Sequence, residues 1–289
     1  MHQILMDIIR DTRRINSLES PRQSLHELRV IKSPAEVNLM RETCRIGGLA
    51  LKKTMMRSRE LETEGQVLAS LEFESRMAGA SHLAYPPVVA SANNATIIHY
   101  ISATSQLHPG SLVLVDAGCE YHGYSSDITR TWPAGGVWSD PQLCLYQAVL
   151  ETQLSLISSI RPGTSTVDSL YRDMQASLGK HLQHLGLIEE EAEYLTARTH
   201  EFCPHHVSHY LGMDVHDCGK ESKKLPLIPG MVITLEPGCY IPSGKAGVDP
   251  RWWGLGCRIE DDLLITEDGV EVLSSNCPKH VDDINQLWT

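Results

Sequence analysis

Two stretches of this chain repeat one another 120 residues apart, and each delivers a carboxylate. The first runs Pro109-Gly110-Ser111-Leu112-Val113-Leu114-Val115-Asp116-Ala117-Gly118, the second Pro229-Gly230-Met231-Val232-Ile233-Thr234-Leu235-Glu236-Pro237-Gly238. In each, a Pro-Gly turn launches an apolar strand that ends in an acid, with a glycine two residues later. A further acid trails each repeat, Asp127 after Asp116 and Glu260 after Glu236. A duplicated half-domain would set these four carboxylates around one pseudo-twofold axis. Four acids buried together need cations to hold them. The pattern therefore predicts a two-metal site.

The 289 residues suffice for a large core, as one domain or two fused halves. No apolar run approaches the roughly 18 residues of a spanning helix, so no membrane association is expected. The net charge of −11, without any Lys/Arg-rich stripe, argues against a nucleic-acid partner and suits a substrate carrying a free amine. Eight cysteines, at 44, 119, 144, 203, 218, 239, 257 and 277, include no CxxC pair. A chain of this length needs no covalent staples, and reduced thiols in an intracellular protein are expected. Cys119 and Cys257 lie an odd number of residues from Asp116 and Glu260, which on a strand turns them to the opposite face as packing residues. Near the N-terminus, Arg10, Arg13, Arg14, Arg22 and Arg29 suggest a mitochondrial presequence, but Asp7, Asp11, Glu19 and Glu27 interrupt them. There is no secretory apolar segment, so secretion is not expected.

Ser33-Pro34-Ala35-Glu36 combines an N-cap, a proline at the first helical position and a capping-box glutamate. A helix is predicted from there to about Arg57, and a second from Thr63 to about Ala78, before Gly79. Residues 83–92 read as a strand broken by prolines, and Ile97–Tyr100 as another. Leu112–Asp116 and Asp127–Trp132 form a predicted antiparallel hairpin. Ser139-Asp140-Pro141-Gln142 opens a helix to about Ile160, closed by Arg161-Pro162-Gly163. Helices are predicted over 166–185 and 189–201, then strands over about 206–211, 231–236 and 258–266. Helices followed by strands, twice, predict an α+β fold in which helices cover one face of a curved sheet, as one compact unit.

Asp116 and Asp127 lie eleven residues apart on paired strands and can meet on one sheet face. Acids at ordinary strand ends would give the same spacing, so the match in the second half carries the argument. Alternation puts Arg258, Glu260 and Asp262 on one face, with Glu260 ahead of Asp262 as a candidate ligand. Arg258 can brace a ligating carboxylate. The densest segment is His205-His206-Val207-Ser208-His209-Tyr210-Leu211-Gly212-Met213-Asp214-Val215-His216-Asp217. His205 and His209 have the spacing of a helical zinc pair, but no HExxH glutamate follows His205. On a strand they would still share a face. Four histidines in twelve residues beside acid-bearing strands point to a site.

These segments, with Asp127-Ile-Thr-Arg-Thr-Trp, Glu236-Pro-Gly-Cys-Tyr-Ile and Arg258-Ile-Glu-Asp-Asp, resemble the pita-bread metallopeptidases of family M24. Within these the chain is similar to aminopeptidase P, most of all its Xaa-Pro aminopeptidase 3 branch, over roughly residues 30–285. The resemblance implies a pita-bread fold of duplicated half-domains and two divalent ions held by Asp116, Asp127, His209, Glu236 and Glu260, with Asp127 and Glu260 serving both. It implies that His99, His205 and His216 line the active site and that Tyr85 and Tyr240 shape it. Four carboxylates and one imidazole form a hard donor set that favours Mn2+ or Co2+ over a thiolate-type zinc site, with Zn2+ as a substitute. The implied reaction hydrolyses the first peptide bond of substrates with proline second, by attack of a hydroxide shared between the ions. Glu236 would shuttle the proton to the leaving nitrogen, while His205 and His216 assist the carbonyl.

Relatives carry an additional N-terminal domain, and the residues before Ser33 are too few for it. The expectation is a lead-in over 1–32 and a catalytic domain over 33–289, with a homodimer as a candidate assembly and a mitochondrial location by resemblance, otherwise cytoplasmic. Two alternatives stay open: a prolidase or methionine aminopeptidase on the same fold, and a non-catalytic binding protein.

Overall fold

A computed structural model describes Ile4 and residues 20–189, 194–219 and 223–289. Much of the arginine-rich stretch weighed as a presequence lies outside these residues, as does 190–193 of the helix predicted from 189. Helix α1 (Arg22–Val30) falls in the lead-in, where no element was predicted, and its Arg29 pairs with Asp214 at 2.7 Å and Asp217 at 2.6 Å.

The predicted caps form. The Ser33 amide donates to Glu36 Oε2 at 2.7 Å and the Glu36 amide to Ser33 Oγ at 3.4 Å, opening α2 (Pro34–Arg57). Thr63 Oγ1 accepts the Gln66 amide at 3.1 Å and opens α3 (Glu64–Met77). α4 (Asp140–Ser159) starts where Gln142 accepts the Ser139 amide at 3.0 Å. α5 (Val167–His184) stops just before Gly186, whose φ of +72° suits a helix terminus. The helix predicted over 189–201 is described only as α6 (Leu195–His200), and α7 (Val281–Gln286) closes the chain.

The strands repeat one plan. In the first half, β1 (His82–Leu83) and β2 (Val88–Ser91) precede β3 (Leu112–Ala117), β4 (Cys119–Tyr121), β5 (Tyr124–Ser125) and β6 (Ile128–Pro133). β3 lies between β2 and β6, all antiparallel, in a register running from Leu112 opposite Pro133 to Ala117 opposite Ile128. The small β4–β5 pair is inserted in the return between β3 and β6, with β1 beside it. The second half has β7 (Val232–Leu235), β8 (Gly238–Ile241), β9 (Leu255–Arg258), β10 (Asp261–Ile265) and β11 (Val270–Val272). β10 lies between β7 and β11, and the β8–β9 pair is inserted between β7 and β10. A paired strand, an inserted hairpin and a returning strand thus occur twice. α2 and α3 pack on each other and on the first half's strands, while α4 packs on α5 and against β8 and β9. The α+β organisation is as predicted.

Three predicted strands differ. Ile97–Tyr100 is a turn, because buried Glu64 gathers this loop: it accepts Tyr100 Oη and the Ser105 amide, each at 2.9 Å, and the Ser91 amide at 2.8 Å. Residues 206–211 are irregular, with isolated bridges from Tyr210 to Asp217 and Ile233, although the Thr234 and Glu236 amides donate to the His209 and Val207 carbonyls at 2.9 and 2.8 Å. The strand over 258–266 is two, because the chain passes at Ile259–Glu260 from pairing with β8 to pairing with β7. Among the described residues no helix is long and apolar enough to cross a membrane.

Candidate metal centre

The duplicated plan brings the acids together. Asp127 stands one residue before β6 and Glu260 one residue before β10; Asp116 is at the end of β3, and Glu236 directly follows β7. The two glycines of the repeat allow the approach. A Cβ on Gly118 would overlap the Ser126 carbonyl, and one on Gly238 would collide with the Tyr240 side chain. Close backbone passage at Gly118 is what returns Asp127 beside Asp116.

All five predicted ligands join one cluster. Ligand atoms of Asp127, His209 and Glu260 lie within 4.8 Å of one another. His209 Nε2 is 3.4 Å from Asp127 Oδ2 and 3.7 Å from Glu236 Oε1. Its Nδ1 lies 3.0 Å from the Tyr210 carbonyl, which holds the N–H there and turns Nε2 towards the acids. Tyr85 links Asp116 to Asp127, its hydroxyl 2.5 Å from Asp116 Oδ1 and also contacting Asp127 Oδ1. Arg258 Nη2 donates to Asp116 Oδ2 at 2.6 Å. The bracing contact expected of Arg258 is therefore present, directed at Asp116.

Charge accounting favours cations here. Four carboxylates face one guanidinium and one imidazole. Burial, then the neighbouring acids, raises Glu260 well above the carboxylate range; burial also raises Asp116, against the pull of Arg258. Glu236 is pushed by burial up to about 7, with His209 and Arg258 working against the shift. His209 rises to about 9: burial opposes its charge, but the Asp127 hydrogen bond and Glu236 prevail. Burial works against the charge of Asp127 too, but the His209 hydrogen bond prevails and holds it below its ordinary value. Acids pressed together in this way form a hard, oxygen-rich donor set that divalent ions would satisfy. The residues fit such ions.

The other predicted residues sort differently. A cleft of about 740 Å³ is lined by Tyr85, His99, Asp116, Asp127, His205, His209, His216, Glu236, Arg258 and Glu260 among others. His216 lies edge-on to His209, with ring centroids 4.5 Å apart. Tyr240 is not among the cleft-lining residues; it is buried behind His205, taking Arg258 Nη1 at 2.7 Å and lying 2.9 Å from His205 Nε2. Burial first, then Arg258, depresses His205 to about 4, so its ring is neutral near pH 7. Asp262 is not aimed at the cluster centre, because its Oδ2 accepts the Asp127 amide at 3.1 Å. Thr129 was not singled out from the sequence, yet its Oγ1 donates to Glu260 Oε2 at 2.6 Å. Its place two residues after Asp127 on an alternating strand was the available signal.

Comparison with known proteins shows the family. Residues 38–267 match metallopeptidase family M24. Rat Xaa-Pro aminopeptidase 3 is 44% identical over 272 residues, covering 94% of this chain and 54% of the relative. Arabidopsis thaliana intermediate cleaving peptidase 55, mitochondrial, is 45% identical over 262 residues, covering 91% of this chain and 52% of the relative. A solved structure of Escherichia coli aminopeptidase P with the inhibitor Pro-Leu is similar at a TM-score of 0.88 and 36% identity, covering 93% of this chain and 62% of that one. The chain spans about half the length of the curated relatives it matches.

Proposed function

The chain belongs to metallopeptidase family M24 and has the pita-bread fold, and from that premise we propose that it is a dinuclear metalloaminopeptidase releasing the first residue of peptides with proline second. The observation that carries this reading is the meeting of Asp127, His209 and Glu260 ligand atoms within 4.8 Å, with Asp116 and Glu236 joined to the same cluster. The metal is Mn2+ on this reading, since four carboxylates and one imidazole suit a hard cation, with Co2+ or Zn2+ as substitutes. When bound, the two ions would supply Lewis acidity to the scissile carbonyl and lower the pKa of water to the neutral range.

The chain's own residues do the remainder. Asp116, Asp127, His209, Glu236 and Glu260 would hold the ions. Glu236 accepts the proton of the attacking water and passes it to the proline nitrogen as the C–N bond breaks. His216 and His99, both exposed to the cleft, hold the substrate, and neutral His205 offers a hydrogen bond at the carbonyl. Arg258 fixes Asp116, while Tyr240 links Arg258 to His205. The Xaa-Pro amide carries no N–H, so the apolar wall of the cleft, with Pro86, Val88 and Ile98, needs to accept a ring rather than pair a donor. A mitochondrial location is part of the proposal, supported by the name of the Arabidopsis relative. A homodimer is the proposed assembly.

Cleavage of an Xaa-Pro-Yaa tripeptide and an Xaa-Pro dipeptide by the purified chain, stripped of metal and reloaded with Mn2+, tests this. Metal-dependent release of the first residue from the tripeptide is expected. Turnover of the dipeptide alone would identify a prolidase. No turnover by a folded chain carrying two ions would overturn the peptidase reading in favour of a binding protein.

A further inference from the structure

Glu236 and Glu260 come from different strands, yet one side chain grips the backbone leading into both. Gln153, fully buried on α4, donates from Nε2 to the Leu235 carbonyl at 3.2 Å and the Ile259 carbonyl at 3.1 Å. Leu235 and Ile259 immediately precede the two glutamates. Gln153 Oε1 accepts from Lys279 Nζ at 2.8 Å, and the same ammonium reaches Asp261 Oδ2 at 2.5 Å. Asp261 Oδ1 takes Arg130 Nη2 and Ser274 Oγ, each at 2.7 Å. Arg130 Nη1 then donates to the Glu260 carbonyl at 2.5 Å and the Thr129 carbonyl at 2.9 Å. The peptide groups on both sides of Glu260, and the one entering Glu236, belong to one connected buried network.

The chemistry of a carboxamide explains why this position holds one. Lys279 faces the acceptor end and two carbonyls face the donor end, so a flipped amide would set an N–H₂ against an ammonium. The amide therefore has one orientation. An apolar side chain of equal volume would leave the carbonyls and Lys279 without these partners, at the cost of buried unsatisfied groups. The register of β7 with β10 continues into that of β8 with β9 and sets Glu236 opposite Glu260, but the ladder is interrupted there, because the Glu260 amide turns to the Thr129 carbonyl at 3.1 Å; Gln153 clamps the two chains at that interruption.

We infer that Gln153 is a positioning residue of the metal centre, setting Glu236 and Glu260 at the spacing needed to serve the same two ions. This rests on the dinuclear reading proposed above. Gln153 touches neither the cleft nor a ligand side chain; it acts through the backbone of Leu235 and Ile259.

The test is Gln153→Glu, which keeps volume and the Lys279 contact but removes both N–H donors. Mn2+ stoichiometry and affinity are read by calorimetry, and coupling between the two ions by electron paramagnetic resonance. The weaker-binding ion should lose about tenfold or more in affinity, the scale of outer-contact substitutions around metal ligands. The coupled two-ion spectrum should give way to that of isolated ions while far-UV circular dichroism is unchanged. Thr152→Ala, on the same helix with its hydroxyl bonded to the Ala148 carbonyl of that helix, serves as the packing control. Wild-type affinities with a coupled spectrum in folded Gln153→Glu would overturn the inference, as would an equal loss in Thr152→Ala. If Gln153→Glu does not fold, Lys279→Met, which releases the amide to rotate, must show the same decoupling for the inference to stand. Failure of the unsubstituted chain to take up two ions would instead strike the dinuclear reading itself.

Discussion

Thr129 holds Glu260 twice. Its hydroxyl donates to Glu260 Oε2 at 2.6 Å and its carbonyl accepts the Glu260 amide at 3.1 Å, joining β6 of one half to the start of β10 in the other. Thr129→Val keeps the shape and the backbone contact but deletes the hydroxyl. We expect about 1 kcal/mol of lost stability by denaturant unfolding and about tenfold weaker Mn2+ binding by calorimetry. Unchanged metal affinity would mean that the hydroxyl does not orient the carboxylate.

Asp127 and His216 separate binding from chemistry. Asp127→Ala should abolish two-ion occupancy and activity together, because on the proposed reading it removes a ligand of both ions from the group it forms with His209 and Glu260. Metal analysis of the purified variant decides this, and two retained ions would sink the assignment. His216→Ala should keep both ions and lower kcat by about 100-fold, the scale of a lost hydrogen bond to the reacting carbonyl. An unchanged rate would reduce His216 to a packing partner of His209.

The glycine after Asp116 is a steric requirement. A methyl group on Gly118 would overlap the Ser126 carbonyl, a backbone atom that cannot swing aside. Gly118→Ala should cost about 3 kcal/mol in a urea melt and push Asp127 away from Asp116, weakening metal binding as well. Gly123→Ala is the matched comparison for added volume, since nothing lies within 4 Å of its Cβ position, although its φ of +83° brings strain of its own.

Without metal, stability should fall as pH rises above neutrality. In the ion-free chain Glu236 is raised from 4.5 to about 7 and His209 from 6.5 to about 9. Both folded-state values exceed the unfolded ones, so the folded form binds more protons across each interval and its stability falls as pH rises through them. The Tm of the chelated protein should therefore drop between about pH 6.5 and 9, above the interval in which depressed His205 acts in the opposite direction. Ions compete with those protons, so added Mn2+ should raise the Tm most at the alkaline end and release more than one proton per molecule near pH 7. A flat or rising Tm in chelator would contradict this.

Much of this molecule is written in short-range pattern. The repeated Pro-Gly turn, apolar strand, acid and glycine were legible because each step constrains residues only a few positions away. The same holds for the Ser33 and Thr63 caps, where a side chain reaches a backbone amide three residues on. Duplication then implied that the four acids share one place, and the structure has them there. What could not be read locally is every contact between distant segments. Tyr100 leaves strand conformation for Glu64, 36 residues back. Arg258 selects Asp116 across 142 residues, and Gln153 reaches Ile259 across 106. Local sequence determined which acids arrive at strand ends, through backbone preference and side-chain alternation. Only tertiary packing decided which buried donors meet them, because a desolvated polar group takes whatever partner the folded chain brings within hydrogen-bond reach.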